Sequence, residues 1–251
     1  MLRRVAILLA AVLAFAGCSG GTRLAAGFGN GNSVHTLDVD GAGRSYRLYK
    51  PVGLPSSAPL VVMLHGGYHR AWNANGGGCC GRPAREGVDD IGFVRAVVAD
   101  IANNVSIDPA RVYVTGMSNG AIMSYTLACN TSIFAAIGVV SGTQLDPCQS
   151  PRPVSVIHIH GTADPLVRYH GGPGAGFARI DGPPVPDLNA FWREVNRCGA
   201  LGTTTEGPVT TSGATCADNR RVVLLTVDDA GHRWPSFATQ TLWRFFAAHF
   251  R

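Results

Sequence analysis

A β-branched run, Val112 to Thr115, enters Gly116-Met117-Ser118-Asn119-Gly120, and Ala121 to Ala128 leaves that turn with the composition of a helix. Strand, G-x-S-x-G and helix in that order constrain the fold more than any other stretch of the chain. The turn is so tight that side chains two residues to either side of the serine would meet backbone, hence the glycines. Its geometry raises the Ser118 hydroxyl above a sheet and aims the Asn119 amide, at a helix N-terminus, at a developing negative charge. Chance glycines in a strand-to-helix loop give the same letters. The flanking elements separate the two readings.

The other segments build the sheet that such a turn needs. His35 to Asp40 and Tyr46 to Lys50 alternate polar and apolar residues around Gly41-Ala42-Gly43, the pattern of an antiparallel hairpin. Leu60 to Leu64 is a continuous apolar run, as in a strand buried on both faces, and ends in His65-Gly66-Gly67-Tyr68. A glycine pair there lets backbone amides turn inward and supply a second oxyanion donor, from Gly67 or Tyr68 beside that of Asn119. Asp89 to Ile101 carries Phe93, Val97 and Ile101 on one helical stripe, with Asp89 or Asp90 as cap, and Asp108-Pro109 marks a turn before the serine strand. Ala135 to Val140, Val154 to Ile159 and Arg221 to Val227 read as further strands, and Leu188 to Val195 and Gln240 to His249 as helices. The predicted class is α/β, a mostly parallel sheet with helices on both faces and an N-terminal antiparallel hairpin.

In such sheets, chemistry sits past the carboxyl ends of the strands. His65, Ser118, Asp164 and His232 all fall there. A serine needs a base to take its proton and an acid to orient that base, and the order Ser118, Asp164, His232 supplies both. Gly231 is expected to permit close approach and Pro235 to stiffen the exit. Asp187, Asp228 and Asp229 are rival acids. His158 and His160, alternating on one strand, read as packing or loop-orienting residues, and His35, His69, His170 and His249 as surface residues. His65, Trp72 and Trp234 are candidates to line a substrate pocket, against the simpler reading of core or rim packing.

Composition and the chain start speak to address. Residues 1–18 have the positive Arg3 and Arg4, an apolar run from Val5 to Ala16 and small residues before Cys18. This resembles a bacterial lipoprotein signal in which Cys18 is lipidated, and it predicts an exported, membrane-anchored or secreted chain. Residues 19–33 read as a flexible tether, and 34–251 as the folded domain. The net charge of +5 includes Arg3 and Arg4, and the other arginines are scattered, so no nucleic-acid footprint is expected. Six further cysteines in an exported chain argue for disulfides without fixing their connectivity; proximity along the chain favours Cys129 with Cys148 and Cys198 with Cys216, and leaves Cys79 and Cys80 for each other, another partner or no bond. Their spacing fits no zinc pattern, so no metal and no cofactor is expected.

Six ordered motifs then carry a family resemblance: Leu64-His65-Gly66-Gly67, Cys79-Cys80-Gly81, Val88 to Phe93, Gly116 to Gly120, His160 to Pro165 and Gly231 to Pro235. Together they resemble the secreted polyhydroxybutyrate-depolymerase and feruloyl-esterase-like branch of the α/β-hydrolases. The resemblance implies Ser118 as nucleophile, His232 as base and then acid, and Asp164 as its orienter. It also implies a monomer acting on polymeric or aromatic esters. A cell-envelope acyltransferase using the same triad, or an inactive surface binding lipoprotein, are the alternatives. One departure stands out. Between Leu64 and Asp89 neither a helical stripe nor a strand is legible, and Gly67-Tyr68 runs almost directly into Trp72-Asn73. A helix-strand unit of about 30 residues is missing by comparison with the family, which should leave strands to close up or edges to stay open.

Overall fold

The computed structural model describes residues 27–67, 71–74, 80–176 and 179–251. The expected signal segment, Cys18, His69, Tyr68 and Cys79 lie outside the described residues. The chain forms a hairpin of β1 (Gly31–Val39) and β2 (Ala42–Lys50), then β3 (Ala58–Leu64), a short α1 (Gly81–Glu86), α2 (Asp90–Asn104), β4 (Ile107–Met117) and α3 (Asn119–Asn130). There follow β5 (Ala136–Val140), β6 (Ser155–Gly161), the two-residue pair β7 (Gly172–Pro173) and β8 (Asp181–Gly182), and α4 (Val185–Val195). The chain ends with β9 (Gly202–Glu206), β10 (Val209–Thr215), β11 (Arg221–Val227) and α5 (Ala238–Ala247). Seven strands make one sheet in the order β3-β4-β5-β6-β11-β10-β9. The first five run parallel, and β10 and β9 add antiparallel at the far side.

Alternate residues of each parallel strand feed two cores. On one face Val112, Val114, Ile137, Val139 and Val156 pack with Phe93 and Val97 of α2, Leu127 of α3 and Trp192 of α4. On the other, Tyr113, Ile157, Ile159 and Leu225 pack with Leu242, Phe245 and Phe246 of α5. Each fully buried aliphatic side chain contributes about 1.5–3 kcal/mol, so the two cores supply most of the driving force.

The hairpin turns at Asp40 and Gly41, both left-handed, with Gly41 N donating to Asp38 Oδ1 at 3.0 Å. Its strand begins at Gly31, so the expected tether boundary at residue 34 moves three residues earlier because Gly31, Asn32 and Ser33 pair with Lys50, Tyr49 and Leu48. Among the described residues the hairpin is a separate two-stranded sheet. It docks through Arg44, which meets the buried Asp90 and lies over Phe93, and through Tyr46 Oη, which donates to Asp100 Oδ2 at 2.6 Å.

Four expectations need correction. β3 is not buried on both faces. Leu60 and Leu64 are buried, but Val61 and Met63 are 39% and 65% exposed, and among the described residues β3 pairs on one side only, with β4. In register Val61 lies beside Tyr113 and so belongs to the α5 face. α5 covers that face as far as Tyr113, whose ring stacks on Phe246 at 4.9 Å, and no further described helix continues over β3. Among the described residues β3 therefore stands at an open edge of the sheet and not beside a closed gap. The stretch before Asp89 does hold a helix, α1, too short to show a stripe. Asp108-Pro109 lies inside β4, at an irregular start where the register to β3 shifts. His249 is buried rather than superficial, with Nδ1 donating to Phe245 O at 2.6 Å, while its own carbonyl accepts from Tyr113 Oη at 2.8 Å.

Disulfides join Cys129 to Cys148 and Cys198 to Cys216, and Cys80 is also disulfide-bonded. The first two close loops of sequence separation 19 and 18, each constraining the unfolded chain by about 3 kcal/mol. Such bonds persist in oxidising compartments outside the cytosol. Among the described residues no helix is long and apolar enough to cross a membrane.

Candidate active site

Ser118 sits between β4 and α3 with φ 55° and ψ −123°, a conformation a non-glycine residue holds only when its surroundings impose it. They do so from three sides. Its amide donates to Val140 O of β5 at 3.0 Å. A Cβ on Gly116 would lie 2.5 Å from the Gly120 carbonyl, and one on Gly120 2.3 Å from Leu64 O. The two glycines let the elbow close on itself and on the end of β3.

The glycine loop after β3 lies directly against the serine. A Cβ on Gly66 would meet Met117 O at 2.9 Å and Ser118 Cβ at 3.2 Å, and Gly67 takes φ 124°. The loop is held from behind by a device that motif reading missed. Asn119 turns its side chain into the protein, where Oδ1 accepts from Trp72 N at 2.6 Å and Nδ2 donates to Trp72 O at 3.1 Å. Trp72 Nε1 in turn donates to His65 O at 2.9 Å. Asparagine carries a donor and an acceptor on one short amide, so it can pair with both backbone groups of one residue. That residue type after the serine was the available signal.

The pocket expectations divide. Trp72 is 8% exposed and packs in the core beside Phe93, so it positions the glycine loop instead of lining a pocket. Trp234 packs against the core under α5, its Nε1 donating to Thr239 Oγ1 at 3.0 Å, which is the rim-packing role. His65 is exposed beside the serine, its ring 4.8 Å from that of Trp72.

Asp164 and His232 come together from the loops after β6 and β11. His232 Nδ1 lies 2.8 Å from Asp164 Oδ2. The two loops are joined by Thr162 N to Val227 O and Ala163 N to Ala230 O, both 3.0 Å. A Cβ on Gly161 would fall 2.0 Å from Ala230 O, so that glycine is required; one on Gly231 would meet nothing within 4 Å, against the expected close approach. Asp164 Oδ1 accepts from Leu166 N and Val167 N at 2.9 and 3.0 Å. Burial alone would raise its pKa, but the hydrogen bonds from His160, His232 and Val167 N outweigh it and hold the carboxyl well below the usual range. It is therefore a carboxylate that can only accept, so His232 carries its proton on Nδ1 and leaves Nε2 basic. Among the described residues Ser118 Oγ and His232 are not hydrogen-bonded. This contact commonly shortens only when substrate is bound. Of the rival acids, Asp228 accepts from Thr162 Oγ1 at 3.2 Å in an exposed turn, Asp229 takes a left-handed turn conformation, and Asp187 lies in the first turn of α4.

His158 is fully buried, and its burial, then the neighbouring His160, hold its pKa well below the ordinary value. Above about pH 6.5 neither folded nor unfolded chain charges this ring, and its neutral burial costs nothing. Below that, the unfolded chain takes a proton the folded one refuses, so stability falls by up to about 1.4 kcal/mol per pH unit. Calorimetry at pH 6.5 and 5.5 should show Tm lower by about 2–4 °C at the acid value, and His158→Leu should flatten that dependence.

A parallel sheet carrying a serine on a strand-to-helix elbow, with an acid and a histidine past later strands, defines an α/β-hydrolase. Residues 67–168 match the family model described as Esterase PHB depolymerase. The chain is 30% identical over 250 residues to the putative esterase NocK of Nocardia uniformis subsp. tsuyamanensis, covering 78% of this chain and 72% of that one. Feruloyl esterase B of Piromyces equi is 28% identical over 65% of this chain, which spans 31% of that protein; probable feruloyl esterase C of Aspergillus clavatus is 26% identical, with 75% and 64% covered. The acetyl xylan esterase from Aspergillus awamori superposes with a TM-score of 0.54 at 16% identity, covering 86% of this chain and 99% of that one. The chain belongs to the polyhydroxybutyrate-depolymerase and feruloyl-esterase-like branch of the α/β-hydrolases, and it is a carboxylic ester hydrolase. The 250 positions aligned with the Nocardia relative occupy only 78% of the 251 residues here, so that relative carries insertions facing gaps in this chain.

Proposed function

We propose that Ser118 is the nucleophile, His232 the general base and then acid, and Asp164 the residue that orients it. The observation that carries this reading is the 2.8 Å contact of His232 Nδ1 with the buried Asp164 carboxylate, on loops at the same end of the parallel sheet as the Ser118 elbow. Ser118 Oγ bonds to the ester carbonyl carbon as its proton passes to His232 Nε2. The carbonyl oxygen, now an anion, is met by the amides of Asn119 and of Gly67 or Tyr68. Collapse breaks the bond to the alcohol oxygen, which leaves with the His232 proton, and water repeats the sequence to release the acid. The exposed glycine loop with His65 at its rim suits aryl or polymeric esters, and the names of the relatives point the same way. A lipid on Cys18 would hold the monomeric domain outside the cell membrane.

The test uses the oxidised, purified chain with methyl ferulate, p-nitrophenyl butyrate and poly-3-hydroxybutyrate particles, together with a fluorophosphonate. A phosphonyl mass on the Ser118 peptide and preference for ferulate or the polymer is the expected result. A folded chain that takes no label at Ser118 overturns the assignment. Label with hydrolysis of the nitrophenyl ester alone overturns the substrate class.

A further inference from the structure

Two histidines on β6 that the proposed chemistry does not use stand in a row behind Asp164. Residues two apart on a strand share a face, so His158 and His160 point the same way. They are 0% and 1% exposed, and Tyr125 of α3 closes the row at 1%. Tyr125 Oη lies 3.1 Å from His158 Nδ1, and His158 Nε2 lies 2.9 Å from His160 Nδ1. His160 Nε2 is 2.8 Å from Val167 O and 3.4 Å from Asp164 Oδ2.

The direction of the chain follows from its last member. A carbonyl and a carboxylate can only accept, so His160 carries a proton on Nε2. With His160 uncharged its Nδ1 is then an acceptor, which puts the His158 proton on Nε2 and makes Nδ1 the acceptor of the tyrosine hydroxyl. Burial pushes the Tyr125 phenol far up, so it keeps the proton it donates. Every donor points along the row, and the last, His160 Nε2–H, ends on Val167 O beside Asp164. Trp192 stacks on Tyr125 at 6.0 Å and Tyr169 meets His160 edge-on at 6.0 Å, so the rings have packing on their flanks as well.

We propose that Tyr125, His158 and His160 are positioning residues, a hydrogen-bond chain that aims the Asp164 carboxylate at His232 Nδ1. Asp164 Oδ1 accepts from the Leu166 and Val167 amides and Oδ2 from His232, while the His160 ring, its Nε2–H bonded to Val167 O at 2.8 Å, backs Oδ2 at 3.4 Å. Held on both oxygens and backed by the His160 ring, the carboxylate keeps one orientation toward His232. Removal of the His160 ring takes away the support behind Oδ2 and the bond to Val167 O that steadies the turn donating to Oδ1. Satisfied buried networks of this kind fix one geometry, whereas an apolar filling would leave the carboxylate's back open.

This inference rests on Asp164 and His232 acting as proposed, and the experiment separates the two. Fluorophosphonate labelling rates, kcat and KM on a soluble aryl ester, Tm, and the low-field proton resonance of His232 Nδ1 (assigned by its loss in His232→Gln) are measured on wild type, His160→Leu, His160→Gln and Tyr125→Phe. His160→Leu should label about 10- to 100-fold more slowly, with kcat reduced, KM unchanged and the resonance shifted. His160→Gln, whose amide can still donate to Asp164, should recover to within about threefold of wild type. A wild type labelled at Ser118 with His160→Leu labelled equally fast overturns the chain and leaves the triad standing. Equal slowing in the leucine and glutamine variants, in proportion to lost Tm, overturns it as well. If His160→Leu does not fold, Tyr125→Phe decides: an unmoved resonance and rate in that variant overturn the proposal. An unlabelled, folded wild type removes the triad and this inference together.

Discussion

Ser118→Ala is expected to lower ester turnover by about 10⁵- to 10⁶-fold, and Asp164→Asn by about 10⁴-fold, with both proteins folded. The first removes the atom proposed to form the acyl bond. The second leaves the shape intact but offers His232 an amide in place of a carboxylate, so the tautomer with the proton on Nδ1 loses its advantage and Nε2 ceases to be the basic nitrogen. The steep loss is expected because Asp164 is a carboxylate under all ordinary conditions, its pKa held below the usual range by its donors. A depressed acid contributes its stabilisation above the unfolded value, about pH 4, and loses it only as pH falls through the folded one. Acid inactivation between pH 7 and 5 therefore does not arise from Asp164. Initial rates on an aryl ester, with circular dichroism to confirm the fold, test both variants; a Ser118→Ala protein within 100-fold of wild type would remove Ser118 from the mechanism.

Gly120→Ala should have a large effect for a single methyl group. Its Cβ would fall 2.3 Å from Leu64 O and 2.6 Å from His65 O, both backbone atoms that cannot swing aside. Something must move, and β3 is the piece free to do so, since among the described residues it is hydrogen-bonded along one side only. We expect a loss of about 3 kcal/mol of stability, at the upper end of overpacking costs. Labelling at Ser118 should drop well beyond the small unfolded fraction, because the glycine loop is carried outward with β3. Gly231→Ala is the matched control: with nothing within 4 Å of its Cβ, it should change stability by less than about 0.5 kcal/mol. Urea unfolding of the three proteins, beside their labelling rates, checks both expectations.

What could be read from the chain and what could not have different physical causes. β4, β5, β6 and β11 announce themselves because strands buried on both faces are continuous apolar runs, and the residues just beyond them then fall at one end of the sheet without further information. The β9–β10 hairpin was silent: Gly202 to Thr215 is rich in threonine and mostly exposed, so no apolar period marks it. The alternation of His158 and His160 was visible, but their partners are Tyr125 on a helix and Asp164 on a loop, contacts that only the closed sheet creates. Trp72 looked like a pocket residue because indoles often are; its buried hydrogen bond to His65 O depends on the chain doubling back under the glycine loop. The shortened connection after Gly67 was legible as an absence. The exposure of Val61 and Met63, on a strand read as doubly buried, was not.

That open edge sets the order in which this protein gives way. The glycine loop proposed to receive the substrate's carbonyl hangs from β3, whereas the proposed serine, acid and base hang from strands flanked on both sides. Segments with the fewest supporting neighbours open at the lowest free energy, far below that of the whole domain. Warming should thus unhinge the receiving half of the centre while the reacting half stays assembled, so hydrolysis fades at temperatures where the bulk of the fold, and its disulfides, remain in place.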